Sequence, residues 1–436
     1  MSFLKEKKVL GFPVWMFSIL CAMMIFLGAK DWLLGNMIGA LCFAMIIGNL
    51  FGVVGDNIPV WKTWCGGGML FACLAAGALN TFKLIGPNTI KILNTFNGST
   101  GFLDLYILVL ITGSVLSVDR KMLVKSFAGY LPTILGGVVC ALGLAALVGL
   151  VTGVGAVDAL TNFAIPVMGG GNGAGIQPMS KMWAAATGGD ASVWFASEFA
   201  VISIGNLFAV IAAALLVRFG SGKPNFNGEG KLMKGQFDEE SSTKTEVKIG
   251  PADYATGLAL AMFCFILAGL YADHISIINN HMSLGFTIHK YAFMVILVAI
   301  LNITNILPEE IKAGAHGIQM FFVKYMSFPL MITVGVGTNL ADYAKVFVHP
   351  GNVLVILATV IGAMAGTWFV GKLFKFYPVE SMITAGLCMA NGGGSGDVQV
   401  LGASKRMELM PYAQISSRIG GAIMLVIASV AFGKLL

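Results

Sequence analysis

Long stretches of the chain carry no charge at all. Asp, Glu, Lys and Arg are absent from residues 9–29, 32–55, 63–82, 126–157, 199–217, 254–272, 291–308, 325–341 and 346–371. Most of these runs reach the ~17–25 residues that a helix needs to cross the hydrocarbon core of a bilayer. Apolar residues fill them continuously, whereas a membrane β-strand would alternate apolar and polar positions, so the pattern predicts helices. Residues 9–29 are read as the first span, because the run is long and lacks the small-residue cleavage pattern of a signal peptide. One polar interval is much larger than the others. Between Phe219 and Gly250 five lysines and five carboxylates leave almost no apolar run, which predicts a solvated linker at the midpoint. Six apolar segments precede it and five follow. The expected fold class is therefore an all-α polytopic membrane protein with about 11 transmembrane helices.

The halves on either side of the linker match at one offset. Gly169-Gly-Gly-Asn-Gly173 becomes Gly392-Gly-Gly-Ser-Gly396 on adding 223, and the same shift carries Asp119 onto Asp342, each closing an apolar run. A duplicated unit is the expectation. It divides the chain into an N-terminal cytoplasmic segment with the first helix (1–30), a first repeat (31–218), a cytoplasmic linker (219–250) and a second repeat (251–436). If each repeat crosses five times, the second is inverted relative to the first, as in many secondary transporters. With the N-terminus cytoplasmic, sixteen Lys and Arg fall on the cytoplasmic side and six outside. That asymmetry fits the positive-inside rule and puts the C-terminus outside.

Composition names the solvent. Hydrophobic residues make up 57% of the chain and charged residues 11%, against about 25% charged in soluble domains, so much of the apolar surface must face lipid. The net charge of +6 is spread between spans rather than over one face, which excludes a nucleic-acid binder. Seven cysteines (Cys21, Cys42, Cys65, Cys73, Cys140, Cys264, Cys388) lie singly in or beside apolar runs, with no metal-ligand spacing, and are read as packing residues. No HExxH, no Ser/His/Asp constellation and no paired catalytic carboxylates occur, so no enzyme and no cofactor are expected.

Chemistry concentrates in two glycine clusters. Pro166 to Pro178 (PVMGGGNGAGIQP) and Met389 to Asp397 (MANGGGSGD) cannot continue a membrane helix, since their glycines and prolines break the hydrogen-bond ladder. Unwound backbone at membrane depth persists only where protein or a wet cavity surrounds it. Two re-entrant hairpins, near 160–180 and 380–402, are predicted, with free N–H groups suited to a carboxylate. Gly35/Gly39 and Gly362/Gly366, by contrast, are read as helix-packing pairs. Arg418 sits in the last apolar segment with no acid there to pair with, which marks it as a functional group that fits a carboxylate bidentately. Among the acids, Asp397 is compatible with cation coordination or with capping a half-helix. Glu198 is compatible with proton coupling or with the outer interface, and Asp119 and Asp342 are read as helix ends. Lys405 and Arg406 are read as solvating the exit of the second hairpin, with attraction of an anion as the second reading.

Together these residues resemble the 2-hydroxycarboxylate transporter family of bacterial citrate, malate and lactate carriers. The resemblance rests on PVMGGGNGAG at 166–175, AGLCMAN at 385–391, GGSGD at 393–397 and YAQISSR at 412–418, and it covers essentially the whole chain. It implies a homodimer in the bacterial inner membrane, a moving transport domain with elevator-type alternating access, and coupling to Na⁺ or H⁺. By position, Asn172, Gly173, Gly394 and Ser395 would meet the substrate and Arg418 would clamp a carboxylate. Asn391 and Ser417 would be Na⁺ ligands, a role compatible with Asp397 as well. Citrate carriers of this type place a second arginine directly after the Asn of the second hairpin, where this chain has Gly392. That favours the dicarboxylate malate over citrate. The expected activity is cation-coupled symport, Na⁺ favoured over H⁺, with cation-independent exchange against lactate as the alternative.

Overall fold

The computed structural model describes residues 8–59, 67–118, 129–233, 249–282 and 289–436. Among them the chain is almost wholly helical; the exception is a two-residue ladder pairing Lys8–Val9 with Phe12–Pro13. Among the described residues eight helices are long and apolar enough to cross a membrane, and four shorter apolar helices accompany them. This is a polytopic helical membrane protein. The first apolar run becomes the helix Val14–Ala29, whose 16 residues span about 24 Å, short of a full crossing when upright.

The chain divides into two compact units. One is built from Met1–Ile107, Asp190–Phe199 and Met320–Lys345, the other from Leu108–Gly189, Ala200–Gln319 and Val346–Leu436. In the first, Met37–Asn57, Gly67–Thr81 and Pro87–Asn97 pack around Ser327–Gly335. A Cβ on Gly48 would lie 2.7 Å from the Phe328 carbonyl, so a glycine there lets two backbones touch. Asp31 caps Pro87–Asn97 from outside, accepting from the amides of Asn88 at 3.0 Å and Thr89 at 2.6 Å. Asn80 donates to the Val336 and Thr338 carbonyls at 2.8 and 3.1 Å, satisfying groups left free where the helix stops at Gly335. Asp342 is not the end of that helix but lies inside the next one, Leu340–Val348; Asp119 lies outside the described residues.

In the second unit Tyr130–Thr152 and Pro350–Leu373 form the tightest helix pair. Gly362 and Gly366 meet the backbone of Gly136, Cys140 and Ala141, where any Cβ would collide. Gly35 does not play this part: it precedes the helix that starts at Met37 and faces open space, while the atoms nearest a Cβ on Gly39 belong to Leu34, just ahead of the same helix. The long pair holds both hairpin arms, Leu160–Ala164 and Met382–Leu387 packing on each of its two helices. The outer face of Tyr130–Thr152 is strongly apolar, with Val139 69% and Val151 88% exposed. Such a stripe has its match in lipid, not water.

Candidate functional site

Both glycine clusters break their helices where the sequence predicts. In the first, the helical arm Ala156–Val167 stops before Gly170 and Gly171, which take φ of +76° and +115°, and the chain resumes at Asn172–Ile176 and Gln177–Thr187. In the second, Pro378–Ser381 and Met382–Leu387 lead to Gly393 at φ +85°, followed by the helix Gly394–Ser404. Left-handed backbone at these positions is open to glycine at little cost. Space requires glycine as well. A Cβ on Gly171 would stand 2.6 Å from Gly393 Cα, and one on Gly170 would strike the Ser417 carbonyl. The two tips thus touch each other and the last membrane helix through bare backbone, all within the second unit.

A polar network fills the junction. Asn391, fully buried, accepts from the Gly393 amide at 2.8 Å and donates to Asp397 Oδ1 at 3.0 Å. Ser417 Oγ donates to Asp397 Oδ2 at 2.8 Å. The Asp397 side chain therefore bridges the second hairpin to the last helix, and it does not cap Gly394–Ser404, whose N-terminus has no side-chain cap. Each carboxylate oxygen keeps lone pairs beyond the bond it accepts. A carboxylate, a hydroxyl and an amide, with backbone carbonyls close by, form the kind of oxygen set that a hard cation takes. No cluster of three or more His, Cys, Asp or Glu suited to a transition metal occurs among the described residues.

Ser417 and Arg418 both belong to a widened turn, Ser416–Gly420. Similar π turns occur at Leu160–Ala164, Asn172–Ile176 and Met382–Leu387, all around this junction. Such turns often mark functional sites, since the extra residue re-aims neighbouring side chains. Here Ser417 turns to Asp397 while Arg418 Nη1 donates to Ser117 Oγ. Ser117 in turn donates to the Ser114 carbonyl at 2.8 Å. Arg418 forms no ion pair with a carboxylate among the described residues. It lines a small recess with Ser114, Gly169, Ser417 and Gly421. An oriented, half-buried guanidinium with no carboxylate partner among the described residues is suited to an anion.

The structure thus brings Asn391, Asp397, Ser417 and Arg418 together. Gly173 is half-buried and Gly394 exposed beside the tips, whereas the side chains of Asn172 and Ser395 lie outside the described residues. Glu198 sits in the other unit, 2% exposed, accepting from Ser197 Oγ at 3.1 Å, with Oε2 unpartnered among the described residues. Sequence reasoning missed three contributors. Asn206 accepts from the Gly392 amide at 3.2 Å and donates to Gln399 at 2.7 Å, fixing the second tip from a helix 186 residues away. Ser117 orients the arginine. Gln177, fully buried just past the first tip, has neither amide atom partnered among the described residues. Position directly after a glycine cluster was the one signal available for Gln177; Asn206 and Ser117 carry no motif.

The sequence profile of the 2-hydroxycarboxylate transporter family matches residues 9–430. A citrate/sodium symporter of Salmonella typhimurium is 37% identical over 430 residues, covering 98% of this chain and 95% of the relative. A Na⁺-malate symporter of Bacillus subtilis is 32% identical over 421 residues, covering 96% and 91%. A malate transporter of Lactococcus lactis is 31% identical over 434 residues, covering 99% of each. With a profile matched over nearly its whole length and transporters related to it end to end, the chain belongs to the 2-hydroxycarboxylate transporter family and is a multi-pass membrane transporter, not an enzyme.

Proposed function

We propose that the protein transports a small 2-hydroxycarboxylate, malate in preference to citrate, in symport with Na⁺. The observation that carries this reading is the junction itself: two glycine tips in backbone contact, the Asn391–Asp397–Ser417 network that joins the second tip to the last helix, and the Arg418 guanidinium on the same turn as Ser417. Na⁺ beside Asp397 neutralises the acid and leaves the Arg418 charge for the substrate. One malate carboxylate pairs with Arg418, and the other meets tip amides at the start of Gly394–Ser404. With malate and one Na⁺ bound, the formal charges of ligands, Asp397 and Arg418 sum to −1, against −2 for malate without Na⁺, so the cation lowers the cost of carrying the anion through hydrocarbon. Sodium appears in the names of the Salmonella and Bacillus relatives. Gly392, standing where citrate carriers of this type place an arginine, supports the smaller anion.

The same reading includes an elevator-type displacement of the body that holds both hairpins, a homodimer in a bacterial inner membrane, and a cytoplasmic N-terminus. Its alternating-access part rests on a duplicated unit, which the spacing of elements supports. Gly67–Thr81 and Lys290–Thr304 are 223 residues apart at both ends, as are the left-handed Gly170 and Gly393. The test is radiolabelled malate uptake into proteoliposomes. An inward Na⁺ gradient should drive accumulation, and Arg418→Ala should raise the malate KM by roughly 10- to 100-fold. Accumulation on a proton gradient alone would replace Na⁺ by H⁺ and direct attention to Glu198. Malate–lactate exchange with no gradient-driven uptake would make the protein an exchanger.

A further inference from the structure

The polar segment that follows the helix Ala191–Gly220 is bound to the base of the second hairpin as far as Met233. The Tyr377 amide donates to the Leu232 carbonyl at 2.9 Å and the Val379 amide to Phe226 at 3.1 Å, and Met233 pairs with Phe376 across a bridge. Leu232 is 4% exposed. At the centre stands Glu380, fully buried. Its carboxylate accepts the Gly228 amide at 2.8 Å and the Gly230 amide at 3.2 Å. These two N–H groups converge because Glu229 and Gly230 take φ of +51° and +93°, which makes a concave anion nest. Gly230 has no room for a side chain, since a Cβ would strike Glu408.

The opposite charge comes from the other arm of the same hairpin. Arg406, just past Gly394–Ser404, places Nε 3.5 Å from Glu380 Oε1, an ion pair without a hydrogen bond, and donates from Nη2 to Asn227 Oδ1 at 3.0 Å. It is 12% exposed at the side chain, so it does not serve merely to solvate the hairpin exit. A single buried carboxylate therefore ties together the incoming arm, the outgoing arm and the strap 226–233. Breaking one partner of a buried pair leaves an uncompensated charge, so this knot resists opening.

We propose that Glu380 and Arg406 are positioning residues for transport: with the strap they clamp the base of the second hairpin and so hold Asn391 and Asp397 at the geometry that Na⁺ requires. The hairpin then moves as one piece with its strap and does not open as a gate. This rests on the functional reading above, and the experiment separates the two. Glu380→Gln and the milder Asn227→Ala are examined in the full-length purified protein by amide hydrogen exchange over 226–233 and 388–397, and by the apparent KM for Na⁺ and Vmax of malate uptake. Expected is faster exchange in both segments, with the Na⁺ KM raised roughly tenfold in Glu380→Gln and less in Asn227→Ala, at a Vmax that changes little. Should Glu380→Gln fail to give a monodisperse protein, Asn227→Ala alone decides by the same two readouts. Unchanged exchange over 226–233 overturns the clamp. Faster exchange with an unchanged Na⁺ KM overturns the positioning role. If the wild type shows no Na⁺-dependent uptake, the functional reading fails, while the exchange data still judge the clamp.

Discussion

At the scale of single residues, three glycines in a row do three different things. Gly393 needs its left-handed backbone, and Gly394 faces open space. Gly392 has ordinary φ, and a Cβ there would meet only Asn206, at 3.8 Å or more. A Cβ therefore fits at Gly392, which makes the position a direct test of the proposed preference for malate. Gly392→Arg should shift the malate-to-citrate ratio of KM values toward citrate by about tenfold or more, since one charge-assisted contact is worth about 1.5–3 kcal/mol. Competition of labelled malate uptake by unlabelled citrate checks it; an unchanged ratio removes Gly392 from specificity. Much of this site was legible in the sequence, because glycine clusters and an unpaired arginine are costly in a membrane and announce themselves. Asn206 and Ser117 were not, since a lone Asn or Ser in an apolar helix looks the same whether it caps, packs or supports a tip. Arg406 was misread for a related reason: its partner Glu380 is 26 residues earlier and belongs to the opposite arm.

At the scale of elements, the hairpins are only as well placed as the helix pair that carries them. Tyr130–Thr152 and Pro350–Leu373 approach through glycines, and the incoming arms of both hairpins rest on that pair. Gly366→Leu would push a side chain into the Gly136 carbonyl, and overpacking of this kind costs about 1–3 kcal/mol. The expected result is a lowered midpoint of thermal unfolding in detergent together with weaker malate uptake. Leu147→Ala, on a side chain 61% exposed, should leave the midpoint nearly unchanged; equal effects would contradict the packing argument. Sequence spacing cannot separate Gly362/Gly366 from Gly35/Gly39. The first pair lies inside a helix and meets a partner; in the second, Gly35 lies ahead of the helix start. Helix boundaries within an apolar run depend on caps and packing, not on hydropathy, and that is why the existence of spans was legible while their ends were not.

At the scale of the whole molecule, composition decides the environment and the hairpins decide the activity. Charge-free runs give the membrane-spanning helices, and the wide polar interval gives the break between halves. Folding then divides the chain differently from the sequence, into two units that each draw on both halves, because burial pairs distant segments that no linear pattern marks. On the proposed reading both tips and the last helix form one site that binds cation and anion together. Such coupling must be reciprocal, Na⁺ and malate each raising the affinity of the other by the same factor. The most direct measurement is malate binding to the purified protein by titration calorimetry, with Na⁺ and with choline in its place, for the wild type and Asp397→Asn. A shared site should give a gain of about tenfold or more in malate affinity on adding Na⁺, lost in Asp397→Asn. Equal affinity with and without Na⁺ in the wild type, or a full Na⁺ effect in the variant, would contradict it.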